Sequence, residues 1–274
     1  MLLNLLGHIA ECQFGVSDGI QAWEVTSESL FELRLDMNIA IIFAGGSGTR
    51  MGTGTPKQFL EICGKSVLAW TLEVFERHPR IDAIVLVCNP AHRDETIGIC
   101  EKYGVAKVVA TVDGGDSAQE SIYNGLVAAA GRFPSTATVL LHDGVRPYIS
   151  ADVIDAVIDS VELHGNGVTY TPCYETLILS NDGRTIDAIP PRSASYTAQA
   201  PQGFRLGEIL VAHEKIRAMP ERYEGLVDQA TLCWKLGIPI HLVQGNRGNI
   251  KITTPEDLCT LRALLEWRRM SNGN

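Results

Sequence analysis

From residue 38 onward, short apolar runs alternate with amphipathic stretches. Runs rich in Val, Ile and Leu at 38–44, 83–88, 107–111, 137–141, 167–172 and 239–243 have the length and composition of strands covered on both faces. Between them, apolar positions recur at helical spacing near 66–78, 92–103, 117–130, 150–163, 206–218, 226–236 and 255–268. Strand and helix alternate almost strictly, which predicts a mostly parallel α/β sheet with helices on both faces. Residues 173–205 break the rhythm. Pro190, Pro191, Pro201 and the Asn181-Asp182-Gly183 turn, set among short alternating runs, predict a projecting β-hairpin arm there. Residues 1–36 also stand apart, with six acidic residues and one basic, and the regular pattern begins only after Met37. They are expected to be an extension without catalytic role, ahead of a single domain at 37–274.

Composition narrows the class. The chain has 274 residues, 45% hydrophobic and 20% charged, which excludes disordered, collagenous and low-complexity proteins. A net charge of −9 removes the basic excess that drives non-specific nucleic-acid binding, so no nucleic-acid partner is expected. The seven cysteines are scattered singly, without C-x-x-C or zinc spacing, and are expected to be reduced thiols. No apolar run reaches the length of a membrane span, and no basic residue precedes Arg34 to make the n-region of a secretory signal. A cytoplasmic protein without a membrane partner is the expectation.

The first strand runs into Ala44-Gly45-Gly46-Ser47-Gly48-Thr49-Arg50-Met51-Gly52, followed by Pro56-Lys57-Gln58-Phe59. Glycines let successive backbone N–H groups turn toward phosphate oxygens, while Arg50 and Lys57 add positive charge, so the loop reads as an anion cradle. A dinucleotide fingerprint fails because Met51 stands where Gly or Ala is needed, and a Walker A loop fails because no Gly-Lys-Ser/Thr follows. Asp113 to Ser121 enters a helix and offers Asp116 or Ser117 as an N-cap. His142-Asp143-Gly144-Val145-Arg146-Pro147 closes the fourth strand, where α/β sheets collect ligands. Asp143 there suits a ribose, Mg²⁺ or an ion pair with Arg146; His142 is taken as structural.

Ala44 to Met51 with Pro56-Lys57-Gln58-Phe59 resembles the signature of the CTP-dependent cytidylyltransferases that act on polyol phosphates. The resemblance continues through Gly114-Gly115-Asp116, Glu120-Ser121, the 142–147 motif, Ala200-Pro201-Gln202-Gly203-Phe204 and Asn249-Ile250-Lys251-Ile252-Thr253. It implies a Rossmann-like nucleotidyltransferase fold and transfer of a cytidylyl group from CTP to a polyol phosphate with loss of pyrophosphate. It assigns Arg50, Lys57 and Lys251 to catalysis by charge stabilisation. Ala44, Gly45, Gly46, Gly48, Thr49, Gly115, Asp116, Ser121 and Asp143 fall to CTP, and Arg146, Thr176 and Arg192 to the acceptor. Mg²⁺ accompanies the nucleotide, with Asp143 the one candidate ligand. A homodimer is implied, its exchanged arms carrying Thr176 and Arg192 to the neighbour's acceptor. Ala118 and Ala200 depart from the Arg and Thr common in the family.

The acceptor expected is D-ribitol 5-phosphate, on the sequence around Thr185–Arg192 and Tyr196–Gln202 and on Leu226-Val227-Asp228-Gln229-Ala230, which lacks the Thr-Asp-Glu of methylerythritol enzymes. The alternative is 2-C-methyl-D-erythritol 4-phosphate. A non-catalytic nucleotide-binding module is disfavoured, because Arg50, Lys57 and Lys251 are all present. An NAD-dependent oxidoreductase is disfavoured because the second strand ends Val87-Cys88-Asn89, without the acidic residue that grips a ribose.

Overall fold

A computed structural model describes residues 37–46 and 54–272. The extension 1–36 and the loop positions Gly48, Thr49 and Arg50 lie outside the described residues. The described residues open with β1 (Asn38–Ala44), whose alternation drives Ile39 and Ile41 into one core and Ala40 and Ile42 into another. Each fully buried isoleucine contributes about 1.5–3 kcal/mol. A small antiparallel ribbon, β2 (Glu61–Ile62) and β3 (Lys65–Ser66), leads into α1 (Val67–Arg77), which Ser66 caps by accepting from the Ala69 N–H. There follow β4 (Ala83–Cys88), α2 (Arg93–Tyr103), β5 (Val108–Asp113), α3 (Ala118–Ala130), β6 (Thr138–Asp143), α4 (Ala151–His164) and β7 (Asn166–Pro172). Gly104 and Gly165, both left-handed, stop α2 and α4.

Four strands, β5-β4-β1-β6, are parallel neighbours. The chain leaves β1 in one direction for β4 and β5 and returns on its other side as β6. The carboxyl ends of β1 and β6 therefore flank a crevice of the kind where open α/β sheets bind ligands.

One sequence expectation is corrected. Residues 196–205, assigned to the arm, form β8 (Tyr196–Arg205), which inserts antiparallel between β6 and β7. Ala200 to Phe204 are buried in succession as a core strand. Its glycine is forced by packing: a Cβ on Gly203 would sit 2.5 Å from Val157 Cγ1 of α4. The arm proper is 173–195, with Leu179 and Ala188 bridged and the Asp182 carboxylate accepting from the Arg184 and Thr185 N–H groups.

After β8 come α5 (Leu206–Arg217), α6 (Gln229–Lys235), β9 (Leu242–Gln244) and α7 (Pro255–Asn272). The last strand starts later than its apolar run, and β9 pairs parallel with β7 to close the seven-stranded sheet. Helices α3, α5 and α6 cover one face, and α1, α2 and α4 the other. Leu261 and Leu265 of α7 pack with Ile62, Val67 and Val145, backing the stretch that carries Lys251.

Candidate functional site

A cleft of about 620 Å³ opens at the carboxyl ends of β1 and β6. Ala44, Gly45 and Gly46 form its floor beside Lys57 and Gln58. Gln58, 1% exposed, donates from Nε2 to the Ala44 carbonyl at 2.9 Å and so ties the Pro-Lys-Gln-Phe turn to the end of β1. Lys57 is buried, its Cε lying along Gly46.

The second wall is the loop from β5 into α3. The Gly114 N–H donates to the Cys88 carbonyl at 2.7 Å, and the Gly115 N–H to Ser121 Oγ at 3.0 Å. Ser121 Oγ donates in turn to the Ser117 carbonyl, while Ser117 caps α3 by accepting from the Glu120 N–H. A Cβ on Gly115 would lie 2.5 Å from Glu120 Cβ, so the tight turn admits glycine alone. Ser117 is thus the N-cap, and Asp116 is exposed at the mouth of the loop.

Charge concentrates at the end of β6. Asp143 Oδ1 pairs with Lys251 Nζ at 2.7 Å and Oδ2 with Arg146 Nε at 2.8 Å. Burial would raise the Asp143 carboxyl, but Lys251 and Arg146 outweigh it and hold it at about 2. Arg146 also donates from Nη1 to the Asn249 carbonyl at 2.8 Å, and the Ile252 N–H donates to the Val145 carbonyl. These two bonds clamp the Lys251 stretch onto the 143–146 turn. His142 is wholly buried against Phe75, with Nε2 3.1 Å from the Arg146 carbonyl. A carbonyl only accepts, so the imidazole carries its proton on Nε2. Burial draws its pKa down to about 4, which keeps it neutral. The structural role expected of His142 is compatible with this burial and with an Nε2 proton already committed to the Arg146 carbonyl.

A third wall consists of residues to which the sequence assigned no site role: Gln199, Ala200 and Gln202 of β8, with Val227, Asp228 and Gln229 at the start of α6. Asp228 caps α6 in a reciprocal capping box with Thr231, and Gln202 Nε2 donates to its Oδ2 at 3.0 Å. Isolated amides carry no periodic signal, so only the motif match around Pro201 and the 226–230 sequence pointed there. Thr176 and Arg192, on the arm, are exposed and do not line the cleft within one chain.

Three carboxylates line the cleft, Asp116, Asp143 and Asp228, and among the described residues no three His, Cys, Asp or Glu groups gather to hold a metal. Both Asp143 oxygens already face cations. The residues fit Mg²⁺ through one carboxylate at most, with the remaining ligands coming from phosphates and water.

The IspD family model, described as 2-C-methyl-D-erythritol 4-phosphate cytidylyltransferase, matches residues 38–267. The chain is 41% identical over 231 residues to a ribitol-5-phosphate cytidylyltransferase of Vibrio parahaemolyticus, covering 84% of this chain and 96% of the relative. It is 38% identical over 229 residues to a 2-C-methyl-D-erythritol 4-phosphate cytidylyltransferase of Geobacillus kaustophilus, covering 84% and 97%. The crystal structure of 4-diphosphocytidyl-2C-methyl-D-erythritolsynthase from Anaerococcus prevotii superimposes with a TM-score of 0.72 at 30% identity, covering 85% of this chain and 97% of that one.

Proposed function

The chain belongs to the 2-C-methyl-D-erythritol 4-phosphate cytidylyltransferase family, and from that membership we propose that its cleft transfers the cytidylyl group of CTP to D-ribitol 5-phosphate. The observation that carries this reading is the meeting of Lys57, Arg146 and Lys251, from three separate segments, in one cleft faced by the 114–121 loop. An oxygen of the acceptor phosphate attacks the α-phosphorus of CTP, the bond from that phosphorus to the bridging oxygen breaks, and pyrophosphate leaves with the electron pair. The attacking phosphate is already ionised, so no protein base or nucleophile is required.

Two anions must approach, and the protein's task is positioning and charge stabilisation. Lys57 and, by resemblance, Arg50 hold the triphosphate over the glycine loop. Lys251 moves from Asp143 to the α-phosphate, where charge accumulates. Asp143, thereby released on one oxygen, accepts from a ribose hydroxyl, and it is the residue that would hold Mg²⁺. Mg²⁺ carried in by CTP would supply neutralisation across the phosphates. Backbone groups of Gly115 and Asp116, with Ser121, read the cytosine edge. Arg146, fixed by Asp143 and the Asn249 carbonyl, meets the acceptor with its remaining N–H groups.

The ribitol reading is supported by 41% identity to ribitol-phosphate enzymes against 38% to a methylerythritol-phosphate enzyme, and by the Thr185–Gln202 sequence. The arm supports a homodimer: Tyr174, Ile178, Ile186 and Ile189 are each more than half exposed, and a thin hairpin with that much apolar surface is stable only when packed on something. A second copy fits, bringing Thr176 and Arg192 to the neighbour's acceptor phosphate. No described helix is long and apolar enough to cross a membrane, and the six described cysteines are free, in keeping with a reducing cytoplasm. The test is pyrophosphate release from CTP with D-ribitol 5-phosphate or 2-C-methyl-D-erythritol 4-phosphate. Higher kcat/KM with ribitol phosphate is expected, and preference for the methylerythritol compound overturns the acceptor assignment.

A further inference from the structure

At the base of the cleft and behind it, buried polar side chains from four elements form one connected chain. Gln119 in the first turn of α3, Gln202 on β8, His213 on α5 and Gln229 at the start of α6 are 2, 5, 0 and 3% exposed. Gln229 Nε2 donates to Gln119 Oε1 at 3.0 Å and lies 3.5 Å from His213 Nε2. His213 Nδ1 is 2.9 Å from Tyr223 Oη, and Gln119 Nε2 donates to the Leu226 carbonyl at 3.4 Å. Gln202 Oε1 accepts from the backbone N–H groups of Gln229 and Ala230. Gln229 spends one amide proton on Gln119 and directs the other toward His213, so the imidazole carries its own proton on Nδ1, toward Tyr223.

A buried amide chain is costly unless every member is satisfied, and an apolar core would hold these helices together without that requirement. What the amides add is register. Gln119 sits between Ser117 and Ser121, which line the nucleotide wall, whereas Gln229 stands at the base of the opposite wall beside Val227 and Asp228. The bridge crosses 110 residues of sequence to fix the spacing of the two.

The two walls are unequally anchored. Helix α3 is thirteen residues long, buries Ile122, Leu126 and Ala129, and is held from outside by the Glu120–Arg217 ion pair. Helix α6 has seven residues and buries only Leu232 and Cys233 besides Gln229. Loss of the bridge therefore displaces α6 and its wall while the nucleotide loop stays put. Resting on the functional reading above, in which the nucleotide takes the 114–121 wall and leaves the wall of β8 and α6 to the acceptor, we propose that Gln229, through Gln119, is a positioning residue that sets that wall and thereby governs affinity for the polyol phosphate. Only 3% of Gln229 is exposed, at the base of that wall, so its amide acts through the position of Val227 and Asp228.

The test replaces Gln229→Met and Gln119→Met, singly and together, and measures steady-state kinetics with CTP and D-ribitol 5-phosphate. A buried hydrogen-bonding group left without its partner corresponds to about a 5- to 150-fold change in an equilibrium. Acceptor KM should rise about tenfold in each single variant, and in Gln119→Met, whose side chain does not line the cleft, kcat and CTP KM should stay within twofold of wild type. The double variant should be no worse than the weaker single, because both remove the same bond. Unchanged acceptor KM, a parallel rise in CTP KM, or multiplying effects overturn the proposal. If Gln229→Met fails to fold, Gln119→Met decides, since it removes the same bond from the α3 side and leaves every side chain of α6 in place. Hydrogen exchange of the free protein gives a readout independent of the reaction: amides of 230–234 should exchange faster in Gln119→Met and those of 122–130 should not. Wild-type inactivity with CTP refutes the functional reading, whereas unchanged α6 exchange refutes this inference alone.

Discussion

Lowering the pH from 7 to 5 should destabilise the fold by about 4 kcal/mol through two imidazoles. Burial depresses both His142 and His213 from the ordinary 6.5 to about 4, and the Arg217 charge adds to the effect at His213. A depressed histidine contributes stability that is fully present above the unfolded value and is lost as pH falls toward the folded one. At pH 5 an unfolded imidazole is almost wholly protonated, while the folded one is protonated about one time in ten. The difference is about 2 kcal/mol for each residue, a large part of the roughly 5–15 kcal/mol that holds a typical domain together. Asp143, held at about 2, has no effect in this window, because carboxylate linkage begins only below the ordinary 3.8. Urea unfolding at pH 7 and pH 5, followed by circular dichroism, gives the free energies, and imidazole NMR titration assigns them. A drop below about 1 kcal/mol, or both rings titrating near 6.5, refutes the claim that these two histidines are buried neutral.

Three further outcomes follow from the site. Gly115→Ala drives a methyl against Glu120 at 2.5 Å, so it should raise CTP KM at least tenfold with little effect on acceptor KM, measured by initial rates. Lys57→Ala and Lys251→Ala should each lower kcat by about 10² or more, because their charge is used most in the transition state; near-normal kcat in either removes it from that role. Mixing Arg192→Ala chains with Lys57→Ala chains should restore activity through heterodimers bearing one intact site, whereas an inactive mixture with heterodimers present shows that the arm does not act in trans.

How much was legible in the sequence follows from where each segment's information lies. The runs at 38–44 and 83–88 coincide with β1 and β4, since fully buried parallel strands are written in Val, Ile and Leu. β8 was hidden because its buried residues are Ala, Pro, Gln, Gly and Phe, a composition set by close approach to α4 rather than by β propensity. The 226–236 periodicity shrinks to α6 because Asp228 caps the helix at Gln229. Motifs disclosed the glycine floor, the 114–121 loop and the Asp143, Arg146 and Lys251 cluster, whose members gather at strand ends. Pairing remained invisible: nothing in the sequence says that Lys251 rests on Asp143, that Arg146 is spent partly on the Asn249 carbonyl, or that Gln119 meets Gln229. Those contacts join residues about a hundred positions apart and depend on topology alone.

The central claim, cytidylyl transfer to a ribitol phosphate, is tested most directly with CTP labelled at the α-phosphorus. On incubation with the protein, Mg²⁺ and D-ribitol 5-phosphate, the label should move into a CDP-linked polyol identified by mass spectrometry, with one unlabelled pyrophosphate released per product. Label remaining in CTP, appearing as CMP, or moving only when 2-C-methyl-D-erythritol 4-phosphate is supplied contradicts the account.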